Sequence, residues 1–257
     1  MNNNTELMNQ IAELALAYSG NAMIQWKTNT GRLREEPADR SLLGRHLYLA
    51  EAFRKPKSYP RQRNYYGLYY FAQTKSHVWH ESLNEANMMA YLDHTESISA
   101  INSQPMRITF TDGSWHVPDL LALHTNHRQV VYDIKPVSKI DSKAMAQFAK
   151  TLAVCEKVGW GYRVLPTLSA QQQDNLTHLS YFKHPLFHPG ANAASALSAE
   201  LNKPMTFDQA AGILRPDSIP HGRSALFHLL WLRDVRTDMN LRIDGTTRIE
   251  RNPDALL

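Results

Sequence analysis

Between residues 81 and 165 the apolar residues change their spacing three times, and that sequence of periods restricts the fold more than any other feature of the chain. Residues 81–93 (ESLNEANMMAYLD) place them on one face of a helix. Residues 97–101, 106–110 (MRITF), 117–123 (VPDLLAL) and 129–135 (QVVYDIK) are short β-prone runs broken by turn residues, and Pro136 ends the last. Residues 141–158 return to helical spacing, with Met145, Phe148, Ala149 and Leu152 in one stripe. Asp141 or Ser142 is placed to cap this helix, and Gly159 to stop it. Residues 161–165 (GYRVL) read as a final strand. Helix, strands, helix, strand is an α/β order, expected to give a mixed sheet flanked by helices.

The flanks are less regular. Residues 6–18 read as an amphipathic helix with Leu7, Ile11, Leu14 and Tyr18 on one side, and residues 27–45 as a polar loop. Residues 53–70 interleave basic residues with aromatics and prolines before an edge strand, Gly67–Ala72. Such a segment can follow a phosphate backbone or stack on exposed bases, or can be a basic loop. Composition shifts after Pro166, so the expected division is an N-terminal extension (1–63), a core (64–167) and a C-terminal module (168–257). Within the module, residues 168–201 read as a linker with two short helices. Thr206 is placed to cap a helix through Leu214, Pro216 and Pro220 mark a turn, and residues 223–231 form a second helix. Residues 235–237 and 246–250 then pair around Asp244-Gly245. Two helices followed by a hairpin give a helical, winged-helix-like unit whose second helix presents Arg223, His228 and Arg233.

Composition excludes several classes. The 257 residues are 43% hydrophobic, enough for a full core and a smaller second module. No run approaches the ~20 apolar residues of a membrane span, and the N-terminus (MNNNTELMNQ) has no secretory signal pattern. Cys155 is the single cysteine, so an internal disulfide and a multi-cysteine zinc site are both out. A cytoplasmic protein with no membrane association is the expectation. A net charge of +4 admits nucleic acid as a partner without establishing it.

The chemistry lies in four residues. Alternation along 129–135 puts Asp133 and Lys135 on one face, and Asp119 shares its face with Val117 and Leu121. A carboxylate among apolar neighbours needs a counter-charge. Two on adjacent strands, about 4.8 Å apart, with a lysine beside them, can chelate a hard divalent ion. Glu85 falls within the apolar arc of its helix, between Leu92 and Met89, and is expected to face the core. Glu81 is the alternative acid, but it lies at the helix start, where the dipole favours any carboxylate. The histidine pairs His77/His80, His124/His127 and His184/His188 lack a matching third ligand and read as solvated loop residues.

Pro118-Asp119, followed after residues 120–132 by Asp133-Ile134-Lys135, matches the PD-(D/E)xK nuclease motif. The longer run from HESLNEANMMAYLDHTESISAINSQPMRITF through VPDLLAL to VVYDIKPVSK resembles the TnsA-like endonuclease subunits of heteromeric transposases, over roughly residues 64–166. The resemblance implies a restriction-endonuclease-like fold and Mg2+ (or Mn2+). It implies catalytic roles for Glu85, Asp119 and Lys135, and a site role for Gln104, since the family has a glutamine near its site. Some members carry Gln where this chain has Asp133, so a ligand role for Asp133 is inferred from its chemistry. Implied partners are transposon-end DNA, a TnsB-like transposase and a TnsC-like AAA+ ATPase, with cleavage at the transposon 5′ ends. The alternatives are a stand-alone restriction, defence or repair nuclease, and a non-catalytic DNA-binding assembly module.

Overall fold

The computed structural model of the chain describes residues 3–54, 65–215 and 218–253. Most of the basic segment 53–70 therefore lies outside the described residues, as does Pro216. The protein is mixed α/β and divides into two compact units, one of Met1–Met89 with Glu96–Thr167, the other of Ala90–Thr95 with Leu168–Leu257.

In chain order the first unit contains α1 (Asn3–Ala15), β1 (Ala22–Lys27), β2 (Leu33–Pro37), β3 (Gly67–Phe71), β4 (Ser76–His80), the start of α2 (Leu83–Thr95), β5 (Ile98–Ser103), β6 (Arg107–Phe110), β7 (Trp115–His116), β8 (Leu120–His124), β9 (Gln129–Ile134), α3 (Ser142–Val158) and β10 (Gly161–Leu165). The central sheet runs β10-β9-β8-β5. Its β5/β8 and β8/β9 pairs are antiparallel, and β9/β10 is parallel. A parallel pair needs a crossover, and α3 supplies it. Asp141 caps α3 by accepting from Ala144 N at 2.8 Å, and Gly159 closes it at φ +94°. Phe148, Ala149 and Leu152 are buried against Leu121, Val131, Tyr162 and Val164 of the sheet and Ile11 and Ala15 of α1.

A second sheet, β2-β1-β6-β7, is built from the N-terminal segment and the chain between β5 and β8. Residues 27–45 are thus not all loop. β2 (LREEP) is an edge strand with almost no buried side chain, held to β1 by backbone pairing, so it carries no alternation to read. In α1 Ile11 and Ala15 are buried with Leu7 and Met8 packed partly buried against the same core, while Leu14 and, beyond the helix end, Tyr18 are exposed: the packed stripe is displaced from Leu14 toward Met8 and Ala15.

The second unit contains the end of α2 and then α4 (Ala170–Ser180), α5 (Ala191–Glu200), β11 (Met205–Thr206), α6 (Phe207–Leu214), α7 (Ile219–Leu232), β12 (Val235–Arg236) and β13 (Arg248–Arg251), with the strands ordered β11-β13-β12. Thr206 and Gln209 form a capping box at the start of α6. Pro220 lies in the first turn of α7 rather than in a turn between helices; its missing N–H costs nothing there. Asp244-Gly245 is not a two-residue hairpin turn. It lies inside the long loop 237–247, where the Asp244 carboxylate accepts from Thr246 N at 2.8 Å.

One expectation for this unit is overturned. Residues 225–231 of α7 are all buried, and the His228 ring is only 2% exposed, with Nδ1 donating to the Phe182 carbonyl at 2.6 Å. Arg223 is paired with Asp208, and Arg233 is the left-handed C-cap. The helix therefore does not offer Arg223, His228 and Arg233 as a reading face. The residues that close over it include the end of α2, where His94 Nδ1 donates to the Trp231 carbonyl at 2.9 Å and the fully buried Asp93 carboxylate meets Lys183 Nζ at 3.5 Å. Among the described residues no helix is long and apolar enough to cross a membrane.

Candidate active site

Strand pairing places the site. Ser103 opposes Leu120, and Leu120 opposes Tyr132. One register position further, Gln104 and Asp119 are joined by Gln104 N donating to the Asp119 carbonyl at 2.8 Å. On the other side the Asp119 carboxylate accepts from Ile134 N at 2.6 Å, beside Asp133. Gln104, Asp119 and Asp133 thus form a row across one end of β5, β8 and β9. Directly opposed residues of an antiparallel pair point to the same side, so Asp119 and Asp133 share a face.

The electrostatics of this row are unfavourable as it stands. Burial pushes the Asp119 carboxyl well above the usual carboxylate range, and the charges of Asp133 and Glu85 push it further. Burial raises Glu85 as well. Lys135 follows Asp133 on the same side of the chain; its backbone N–H donates to Leu165 O at 3.1 Å, and its ammonium forms no ion pair with a described residue.

Gln104 carries two marks of a constrained position. It sits at φ +46°, a left-handed conformation that costs a non-glycine residue energy. It is also 3% exposed, with its Oε1 buried and without a hydrogen-bond partner.

Glu85 differs from expectation in its local role. Its Oε2 accepts from Glu81 N at 2.8 Å and its Oε1 from the Ser82 hydroxyl at 2.9 Å, while Ser82 Oγ accepts from Glu85 N at 3.2 Å. The carboxylate folds back over the N-terminus of α2 as a capping group. Its charge is still felt by Asp119, ahead of that of Glu81.

Asp133 has partners that sequence reasoning missed. His116 Nε2 lies 2.9 Å from both of its oxygens, and the Tyr162 hydroxyl donates to Oδ2 at 2.5 Å. His116 lies three positions before Asp119 but ends β7 of the other sheet, so nothing local in the sequence pairs it with Asp133. Tyr162 carried no signal beyond alternation in β10. Two histidines read as solvated are buried: His80, and His124, whose Nε2 meets the Tyr132 hydroxyl at 2.8 Å. His124 turns inward because Tyr132 of the neighbouring strand offers it a partner. Cys155 is buried in the core as expected.

Among the described residues no three His, Cys, Asp or Glu side chains form a ready-made metal cage. Magnesium rarely has one, because it is usually held by one or two carboxylates and completes its shell with water and phosphate oxygens. Asp119 and Asp133 are hard oxygen donors on one face, and a cation between them would relieve the carboxylate repulsion. The donor set fits a divalent ion. No family model matches the chain, and no curated protein is significantly similar to it.

Proposed function

We propose that the protein is a magnesium- or manganese-dependent DNA endonuclease, acting through Asp119, Asp133, Glu85 and Lys135. The observation that carries this reading is the row of mutually repelling carboxylates at the end of a mixed sheet, with an unpaired lysine beside it. Stability alone does not favour such an arrangement; binding of a cation and a phosphodiester does. The succession α2, β5, β8, β9, α3, β10 and the sheet order β10-β9-β8-β5 support a restriction-endonuclease-like core. The order α5, β11, α6, α7, β12, β13 supports a winged-helix-like second unit. Together with the sequence resemblance, these favour a TnsA-like subunit that cuts at transposon 5′ ends, with a TnsB-like transposase and a TnsC-like ATPase as partners.

When bound, the divalent ion neutralises phosphoryl charge and supplies an activated water. Asp119 and Asp133 would hold the ion. Gln104 Oε1 offers a further oxygen, and the backbone bond between Gln104 and Asp119 fixes their separation. Lys135 donates to the attacking water or a phosphate oxygen and stabilises the charge that develops there. Glu85 adds negative potential from the start of α2 and orders that helix end.

The test is cleavage of supercoiled and end-bearing DNA with Mg2+ or Mn2+, with and without a partner transposase. Asp119→Asn and Lys135→Ala should each lower cleavage by at least ~100-fold while the circular dichroism spectrum is kept. Near wild-type cutting by either variant overturns the assignment. Full activity without any partner points to a stand-alone nuclease instead.

A further inference from the structure

Asp133 is held by more than its place in the strand. Its side chain is 3% exposed and takes donors from two other elements: His116 of β7 through Nε2, and Tyr162 of β10 through its hydroxyl. The His116 ring is itself fixed from behind, because Gln147 of α3 lies with its Nε2 2.8 Å from His116 Nδ1. An amide nitrogen can only donate, so Nδ1 is the ring's acceptor and the ring proton sits on Nε2, aimed at the carboxylate. The two donors share the carboxylate between them. What they fix is orientation: Nε2 is equidistant from both oxygens, and the tyrosine binds only Oδ2.

We propose that His116 and Tyr162 are positioning residues that clamp the Asp133 carboxylate so that its remaining lone-pair direction is presented beside Asp119 to a divalent cation. This inference rests on the reading of the row as a cation site. It adds the supporting groups that reading needs, since a ligating carboxylate performs best when its own orientation is held by hydrogen bonds. A merely structural role for the clamp, satisfying a buried carboxylate, would show in stability and leave ion affinity alone.

The experiment titrates Mn2+ alone into the full chain and measures unbound ion by electron paramagnetic resonance, with thermal unfolding run in parallel. Tyr162→Phe keeps the ring and removes only the donor. It should weaken Mn2+ binding by about tenfold, and His116→Ala by a similar factor. His116→Gln, whose amide nitrogen reaches near the position of Nε2, should restore most of the loss. In an Asp133→Asn background, Tyr162→Phe should add nothing further, because its target is gone. Wild-type Mn2+ affinity in Tyr162→Phe and His116→Ala overturns the clamp, and so does an equal loss in both backgrounds. If the wild-type chain binds no Mn2+ at millimolar concentration, the cation-site reading fails and the clamp fails with it. If it binds, and only the clamp variants behave as wild type, the clamp alone is wrong.

Discussion

At the residue scale the candidate site is a set of groups that are individually uncomfortable. Asp119 is pushed above the usual carboxylate range by burial and by its acidic neighbours, and Gln104 combines a left-handed backbone with an unpartnered buried oxygen. A buried acceptor left without a donor costs roughly 1–3 kcal/mol. Gln104→Met keeps an unbranched side chain of similar length and removes that acceptor. It should therefore raise the stability of the ion-free protein by about 1 kcal/mol in urea unfolding. The same substitution should weaken Mn2+ binding. A variant that loses stability and keeps its ion affinity would show that the amide oxygen serves the fold and not the site.

At the element scale, the helices of the second unit depend on close backbone approach. A Cβ at Gly222 would lie 2.1 Å from the Ala211 carbonyl oxygen, so α7 can cross α6 only where the side chain is missing. The contact atom is backbone and cannot swing away. Gly222→Ala should therefore cost about 3 kcal/mol, at the upper end for overpacking a core. Its helix-propensity gain of about 1 kcal/mol is too small to offset this. Thermal unfolding checks it, and a melting temperature equal to wild type would mean that the helices part easily. Elsewhere, α2 is one continuous helix whose start carries Glu85 and whose end contributes Asp93 and His94 to the second unit. Cutting the chain after Thr167 would remove Lys183 and leave the buried Asp93 charge without that partner, so such a truncation should destabilise what remains.

At the scale of the whole molecule, stability should depend on pH through buried histidines. Burial lowers His94 to about 4, and it lowers His228 of the same unit as well. A histidine depressed in the folded state takes up its proton more readily when unfolded. Its contribution is therefore complete above the unfolded value near 6.5 and is lost as pH falls toward 4. For His94 the loss approaches roughly 3 kcal/mol, at about 1.4 kcal/mol per pKa unit. Thermal unfolding at pH 5 should show a clear drop from pH 7.5. His94→Asn keeps a donor near Nδ1 and cannot be protonated, so it should reduce that drop. An identical pH dependence in the variant would place the acid sensitivity elsewhere.

What the sequence determined by itself was whatever depends on short range. The period of the apolar residues placed the end of β10 at Leu165 and the whole of α3, with Gly159 as its stop and a cap at Asp141 or Ser142, of which the structure uses Asp141, because capping and periodicity act within a few residues. Which neighbours share a side with Asp119 and which with Asp133 was legible for the same reason, since alternation along a strand is local; that the two acids share a face was decided by the β8/β9 register. What only the tertiary structure decided was every partnership across distance. Edge strand β2 has no buried face to advertise, and its pairing with β1 is backbone alone. The capping posture of Glu85 was local and readable from Ser82, yet the helical wheel outweighed it, because a wheel gives direction but not where a flexible carboxylate folds. The burial of α7 and His228 required knowing that other segments would cover a helix whose own pattern suggested an open side. The hold of His116 and Tyr162 on Asp133 joins three strands and, through Gln147, a helix; donors that distant in sequence meet an acceptor only once the sheet has formed.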